Sequence, residues 1–585
     1  MSALDVTQKA IALSNEQREI SVAEFFEKNR HLLGYNTLQK ALLTVVREAV
    51  DNALDACESA DILPDIYVEV QDLGEQTYKV IVEDNGPGIK KENVPYVFGK
   101  LLFGSKFMKL MQTRGQQGIG ISGAVLYAQL TTGKPAKIYS KIGDGKVYVV
   151  ELAIDIEKNQ PDILSEDVLD GHGHGIRIEL ILKGKYVRGK QSILEYLKET
   201  AIMNPHAEIR LVEPDGNMIR FERAVNELPV KPKEIKPHPH GIELGVLMRM
   251  LSNSSSRTLL SFLMNEFSRV GKKSALDIIA KAGLEANAKP SSLTRLEAEK
   301  LLKAMHKALL PAPPTDCLSP VGKEAIIQGL KKELLPEFTA AVSRKPKVYR
   351  GFPFLVEVGL AYGGNIKQEN AKLYRYANKV PLLYEQGACA LTKAFLEVDW
   401  RRYGLKKASN GFPEAPLIVS VHFASVWVPY TSESKEAISS YDDIIKEVKL
   451  ALQDAARELQ KYLSKLHKAS YSKERKSKFE RYAVEIVEAL SILSNESKEK
   501  IQDLMTRLLK THIKDYKEEI EKLQDKDYLS AVKQNDTPLS NQEDSNDHHS
   551  TQASGQKKDD FEEEIDALIE DVKKRKELNL LDYAK

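Results

Sequence analysis

Cysteine is nearly absent from the 585 residues: Cys57, Cys317 and Cys389 are the only three, and no two stand at a paired or metal-ligand spacing. That excludes a disulfide framework and a zinc ribbon, and it suits a reducing compartment. Apolar runs long enough to span a membrane are missing, and the first residues lack the basic-then-apolar pattern of a secretion signal. The expectation is a soluble, cytoplasmic protein with no membrane partner. Charge of one sign is not in excess either, because 85 basic residues meet 84 acidic ones. Net charge therefore gives no pointer to nucleic acid, although a local basic patch is compatible with it. The chain also has no GxxxxGK[ST] phosphate loop, so a nucleotide phosphate must be held by other means.

What is present is a globular composition, 42% hydrophobic and 29% charged, in a chain long enough for about three or four domains. Residues 21–225 alternate between helical and strand-like patterns. An apolar stripe of Leu42, Val45, Val46, Ala49 and Ala53 predicts a helix over 37–56. Strand-like runs follow at 66–70, 78–83, 147–154 and 176–182. Prolines 229, 232, 237 and 239 mark a boundary, after which 241–312 is helical in pattern up to a second break at Pro311-Ala312-Pro313-Pro314. Strands and helices alternate again from 318 to 429. A long amphipathic helix begins near Tyr441, carried by Ile445, Val448, Leu452, Ala455, Leu459 and Leu463. Residues 533–560 have the composition of a disordered linker. Phe561, Ile565, Leu568, Ile569 and Val572 form a last helical stripe.

Four short segments carry the chemistry, the last of them His174-Gly175-Ile176 at the entry to a strand. Glu48 and Asn52 stand four apart, on one face of the predicted helix. A carboxylate there suits the orientation or deprotonation of an attacking water, and the Asn52 amide oxygen suits Mg²⁺. Taken alone, the pair fits the polar face of any amphipathic helix equally. Asp84-Asn85-Gly86-Pro87-Gly88-Ile89 ends an apolar strand. Its carboxylate can accept from an exocyclic amine such as that of adenine, with Gly86 and Gly88 permitting close approach; an ordinary Asp-Asn-Gly turn reads the same. Arg114-Gly115-Gln116-Gln117-Gly118-Ile119-Gly120 makes a glycine-rich loop opening a helix, suited to phosphate oxygens. Ser105 and Lys106 just upstream add a hydroxyl and a positive charge. His172 and His174 in Gly-His-Gly-His-Gly, like His238 and His240, lack a third ligand at useful spacing and read as loop residues.

In this order and spacing, the four segments resemble the ATP-binding Bergerat (GHKL) fold shared by gyrase, heat-shock chaperones, histidine kinases and MutL proteins. Further segments resemble the B-subunit family of archaeal DNA topoisomerase VI, a type IIB topoisomerase. They include Ala23-Glu24-Phe25-Phe26, Lys236-Pro237-His238-Pro239-His240-Gly241 and Arg375-Tyr376-Ala377-Asn378-Lys379-Val380-Pro381. Asp399-Trp400-Arg401-Arg402-Tyr403-Gly404 continues the match, which runs from about residue 21 to about 465. Other clamps of the superfamily, chaperone-like or MutL-like, are the alternative; the helical stretch at 241–312 separates them.

The resemblance implies a multidomain α+β fold: a Bergerat α/β sandwich, an all-α helix-two-turn-helix insertion, and a ribosomal S5-like α/β transducer with a long C-terminal helix. The expected divisions are an N-terminal strap 1–24, ATPase 25–228, insertion 229–312 and transducer 313–470; past the matched region, residue pattern alone gives a helical extension 471–530, a linker 531–560 and a terminal helix 561–585. The resemblance implies Glu48 as general base, Asn52 as Mg²⁺ ligand and Asp84 with Gly86 and Gly88 at adenine. Phosphate contacts fall to Ser105, Lys106, Gly115, Gln116, Gln117, Gly118, Ile119, Gly120, Ile121 and Ser122. Lys435 matches the switch lysine that reaches the γ-phosphate; by its own residues it reads as the start of a helix. Implied cofactors and partners are ATP, Mg²⁺, duplex DNA, a second copy through ATP-dependent dimerisation, and an A subunit in a heterotetramer with two of each. The expected location is cytoplasmic, at the nucleoid. Ile176 stands where the family usually has Thr, and Ser434 where it usually has Gly. In the helical insertion, Phe267-Ser268-Arg269-Val270-Gly271-Lys272-Lys273-Ser274 fits a grip on DNA phosphate or a plain scaffold.

Overall fold

Two helices lead into the first sheet. α1 (Val22–Lys28) is capped by Ser21, whose Oγ accepts from the Glu24 amide at 3.0 Å. α2 (Leu38–Ser59) starts at Thr37, whose side chain accepts from the Lys40 amide, and it holds no Pro or Gly to interrupt its 22 residues. Its buried stripe runs through Leu42, Val45, Val46, Ala49, Val50, Ala53 and Leu54. Leu54 has no exposed surface, so Leu54→Ala would cost about 2–5 kcal/mol. The opposite face carries Glu48, Asn52, Asp55 and Glu58 at three- and four-residue spacing, and the site is built on it. The computed structural model describes residues 13–14, 20–106, 109–115 and 118–508. The expectations for 531–585, for Gln116 and Gln117, and for most of the strap lie outside the described residues.

The first sheet contains β1 (Asp65–Asp72), β2 (Thr77–Asp84), β3 (Ala136–Ile142), β4 (Lys146–Asp155), β5 (Gln160–Asp170), β6 (His174–Lys183), β7 (Glu208–Val212) and β8 (Met218–Phe221). Its spatial order is β5-β4-β3-β6-β2-β1-β7-β8. All neighbours are antiparallel except β1 and β7. β1, β3 and β7 alternate buried with half-buried residues, as a sheet covered on one face does. Their inward side chains share one core with α2, with α4 (Gly120–Thr132) and with α5 (Ile193–Met203). α3 (Val94–Gly99) lies against β4 and β5. β5 is the outer strand, and almost all of it is exposed.

Residues 244–307 form four helices, α6 (Leu244–Asn253), α7 (Leu259–Glu266), α8 (Lys272–Ala282) and α9 (Arg295–Lys307). They close on their own core around Leu247, Phe262, Ile278 and Leu301. The histidines leading into this module are structural: His238 Nε2 meets the Pro311 carbonyl at 3.1 Å and His240 Nε2 the Ala308 carbonyl at 3.0 Å. Each ties the entry of the insertion to its exit.

α10 (Lys323–Leu334) opens the second mixed region. Its sheet uses β9 (Phe338–Ser343), β10 (Lys347–Tyr349), β11 (Phe352–Tyr362), β12 (Lys372–Ala377), β13 (Val380–Pro381) and, later, β16 (Leu417–Ser425). The order is β10-β11-β16-β12-β13, with β9 also pairing β11. β12 runs parallel to β16 through a crossover containing α11 (Ala390–Leu396), as a parallel pair requires. β14 (Lys406–Lys407) and β15 (Pro413–Glu414) make a small separate pair within that connection. β16 is buried at every position, so its polar members need partners: His422 Nδ1 meets Glu357 Oε2 on β11 at 2.9 Å. The chain then enters α12 (Asp442–Ser494), whose Val448, Leu452, Ala455 and Leu459 are fully buried. The chain divides into two compact units, 1–462 and 463–585. The second, where described, is helical over 463–494 and 498–508. Among the described residues, no helix is long and apolar enough to cross a membrane.

Candidate nucleotide site

A cleft of about 650 Å³ opens beside α2 and is lined by Glu48, Asn52, Asp84, Gly115, Gly120 and Lys435, among others. The structure thus brings together the four segments singled out in the sequence. At one end Glu48 Oε1 accepts from Arg47 at 2.9 Å (Nη2) and 3.3 Å (Nε). Its other oxygen lies under Gly120, where a Cβ would come within 2.1 Å of Glu48 Oε2. Glycine at the head of α4 therefore leaves the carboxylate its place. Burial alone would raise the Glu48 pKa, but the positive charges of Lys435 and Arg47 outweigh it and hold the group below its ordinary value. Glu48 is a carboxylate at neutral pH, able to accept a proton from water.

Asn52 lies one turn further along the same face. It is half-buried, its side chain makes no hydrogen bond among the described residues, and the nearest thing to an added Cβ on Gly115 would be Asn52 Oδ1 at 3.8 Å. A free amide oxygen facing an open gap between α2 and the lid fits an oxygen-preferring cation such as Mg²⁺.

The far end is organised by the turn after β2. Asp84 Oδ1 accepts from the Gly86 amide at 2.8 Å and the Ile176 amide at 3.3 Å. Both donors converge on that one oxygen, and Oδ2 has no donor among the described residues. Burial raises this carboxyl to a pKa of about 6. Gly175 has φ +128°, and a Cβ there would lie 1.9 Å from the Asp84 carbonyl, so β6 can approach this closely only at a glycine. Gly88 is equally constrained, at φ +72° and 2.0 Å from the Lys141 carbonyl. His174 Nδ1 contacts the Gly86 carbonyl at 2.9 Å and Asn85 Nδ2 donates to the Leu63 carbonyl at 3.0 Å, which fixes the turn from both sides. Val82, Ile89, Phe98, Ile176 and Ile178 supply apolar walls. Ile176 contributes its amide, which needs no hydroxyl.

Between these ends runs the lid. Gly118 (φ +65°) accepts through its carbonyl from the Leu102 amide at 2.9 Å, and α4 begins at Gly120 with Ile121 and Ser122 in its first turn. Ser105 and Lys106 line the cleft. Lys106, however, is not a free cation here: its Nζ lies 2.8 Å from Asp55 Oδ2 on α2. The sequence reading missed Asp55, and it missed the partner that Arg114 finds. Arg114 is 5% exposed and donates to Asp55 at 2.8 Å, to Glu58 at 2.6 and 3.1 Å and to Asn204 at 2.5 Å. The signal was present in the i, i+3, i+7 and i+10 spacing of Glu48, Asp51, Asp55 and Glu58, too many acids for one solvated face without cations to meet them.

Lys435 departs from its expected setting. It sits in a loop, closed by a bridge between Tyr430 and Ile438, and not at a helix start; α12 begins seven residues later. Its φ of +54° is left-handed, an uncommon state for lysine. The loop is seated by a buried ion pair between Glu436 and Lys40 of α2, with Lys40 also 5.0 Å over the Tyr384 ring. Ser434 is buried, joined by its Oγ to Ser432 Oγ at 2.8 Å.

A family model of histidine kinase-, DNA gyrase B- and HSP90-like ATPases matches residues 37–156. One described as the topoisomerase VI B subunit transducer matches residues 313–478. Together they define the class: an ATPase of the GHKL type joined to a transducer. The B subunit of type 2 DNA topoisomerase 6 from Archaeoglobus fulgidus is 54% identical over 456 residues, covering 77% of this chain and 76% of that protein. The corresponding protein of Pyrococcus furiosus is 43% identical over 551 residues, covering 86% and 96%. The chain belongs to the family of type 2 DNA topoisomerase 6 B subunits, and it is the ATPase subunit of a type II topoisomerase.

Proposed function

We propose that ATP lies in the cleft with its adenine amine on Asp84 and its phosphates under residues 115–122, and that closing the cleft drives passage of duplex DNA. The observation that carries this reading is the meeting of Glu48, Gly120 and Lys435 at one end of a cleft whose other end is Asp84. Glu48, held by Arg47, orients the attacking water and takes its proton. Mg²⁺ on the Asn52 amide oxygen would neutralise charge on the phosphate oxygens. Lys435, together with Ser105 and the amides from Gly115 to Ser122, faces the phosphates, and Lys106 joins them once its ammonium leaves Asp55. A charge-assisted contact from a different module makes the position of that module depend on whether the γ-phosphate is present.

On this reading residues 25–228 are the ATPase, 229–312 an inserted helical module and 313–470 the transducer. ATP binding pairs two copies through their N-terminal segments, and hydrolysis reopens the gate by shifting the population between closed and open states. Cleavage of DNA falls to an A subunit, with two of each subunit in the assembly. The place of work is the cytoplasm, at the nucleoid. The test is ATP turnover by the full chain with an A subunit, with and without duplex DNA. DNA stimulates the wild type and ATP supports decatenation, whereas Glu48→Gln binds nucleotide but turns over about 10²–10⁴-fold more slowly. Absence of DNA stimulation, or wild-type turnover by Glu48→Gln, refutes the reading.

A further inference from the structure

The turn joining β12 to β13 holds two residues, Asn378 and Lys379, with φ of +48° and +69°. Two positive φ values in a two-residue hairpin are the arrangement in which Asn-Gly is the low-energy pair. Lysine occupies the glycine position, against its backbone preference. Its side chain is also buried, 3% exposed. Both features are unfavourable for lysine, so its partners are informative.

Lys379 Nζ donates to Ser319 Oγ at 3.0 Å and lies 3.6 Å from Glu58 Oε2, the carboxylate that also holds Arg114 of the lid. Its amide donates to His422 Nε2 at 3.0 Å, and its carbonyl accepts from Asn204 at 3.3 Å. Asn204 is the same residue that Arg114 reaches. Asn378 Nδ2 donates at 2.9 Å to the carbonyl of Thr113, one residue before Arg114. Next to it Gln112 and Ser319 exchange two bonds, Nε2 to the Ser319 carbonyl at 3.1 Å and the Ser319 amide to Oε1 at 2.7 Å. The Gln112 amide donates to the Cys317 carbonyl at 2.9 Å. Three successive residues entering the lid are thus gripped by groups beyond residue 310 or by carboxylates that those groups share. On the other side the grip continues through His422 to Glu357, which accepts from the amides of Val321 and Gly322 at 2.9 and 3.0 Å.

We propose that Lys379 and Asn378 are positioning residues for the phosphate lid, forming a second mechanical coupling between nucleotide and transducer beside the Lys435 loop. They touch the base of the lid and no reacting atom. The β12–β13 turn is bonded directly to Thr113 and shares Glu58 and Asn204 with Arg114, so a displacement of the lid base on nucleotide binding is passed to the second sheet. The inference rests on residues 115–122 being the phosphate lid.

Lys379→Gly suits the turn, relieves its backbone strain and deletes the ammonium. In the full chain, the melting curve remains cooperative and ADP affinity stays within about twofold, while turnover at saturating ATP falls about tenfold. A non-hydrolysable ATP analogue protects amides of residues 109–122 from hydrogen exchange in the wild type but not in this variant. Lys379→Arg restores at least half of the turnover. A folded Lys379→Gly protein with wild-type turnover and lid protection overturns the proposal, as does an equal loss of ADP affinity and turnover. Should Lys379→Gly fail to fold, Asn378→Gly keeps the same backbone and cuts only the side-chain bonds of Asn378. Wild-type turnover and protection there overturn the proposal equally. Failure of the wild type itself to bind ADP would instead refute the assignment of the cleft.

Discussion

Gly120→Ala separates chemistry from folding in this protein. The added methyl carbon would lie 2.1 Å from Glu48 Oε2, 3.0 Å from its Cδ and 3.5 Å from its Cγ. Ordinary carbon–oxygen contact is near 3.4 Å, so the carboxylate must retreat by about 1.3 Å. Misplacing a catalytic group by about 1 Å costs on the order of 10²-fold in rate, or ~2.7 kcal/mol of barrier. The backbone does not oppose the change, because Gly120 is not among the positive-φ glycines and heads a helix that alanine favours by up to about 1 kcal/mol. Melting temperature should hold or rise while kcat falls about 10²-fold, measured by steady-state ATPase with a fluorescent-ADP titration in parallel. Gly245, in α6 with nothing within 4 Å of its Cβ position, is the control: Gly245→Ala leaves turnover alone. A Gly120→Ala protein that turns over within about threefold of wild type would refute the placement of Glu48 at the reacting end.

Two further outcomes follow from the charges. Lys435→Gln removes a cation that, with Arg47, offsets the effect of burial on Glu48; the Glu48 pKa rises, and the acid limb of the kcat–pH profile moves to higher pH. Lys435→Arg leaves the limb in place, and an unmoved limb in Lys435→Gln contradicts the coupling. Glu58→Gln should destabilise the fold by about 3–5 kcal/mol at neutral pH, because it leaves buried Arg114 with Asp55 alone and takes the ion-pair carboxylate from buried Lys379. Burial opposes the ionised Glu58, but Arg114, Lys379 and His206 hold its pKa well below the carboxylate range. Its stabilisation is complete above the ordinary carboxylate pKa and is lost as pH falls through the lower folded value. Urea unfolding should show the gap between variant and wild type narrowing in acid and not in base.

The elements with one clean period were legible in the sequence. α2 announced itself through Leu42, Val45, Val46, Ala49 and Ala53, and β1, β2, β4 and β6 through apolar runs that end within a few residues of the expected limits. β5 gave no such signal, because an outer strand has no buried face to impose alternation. β7 and β8 are five and four residues long, too short for a pattern. At the site, Glu48, Asn52 and Asp84 were legible because local spacing places them. The cluster of Arg114, Glu58 and Lys379 was not, since its members meet only after two sheets have formed and no local periodicity links them. Lys435 was legible through resemblance alone; nothing in its neighbours foretells a left-handed loop.

The outer strand of the first sheet bears on solubility. β5 leaves a row of backbone donors and acceptors unmatched and exposes Ile163, Leu164, Val168 and Leu169, the ingredients of runaway strand addition. Interleaved with them are Asp162, Glu166, Asp167 and Asp170, all exposed. Any copy aligning along this margin would stack carboxylate on carboxylate, and a DNA phosphate straying there meets the same repulsion. On the proposed cycle of association and separation, this exposed apolar border is kept electrostatically closed.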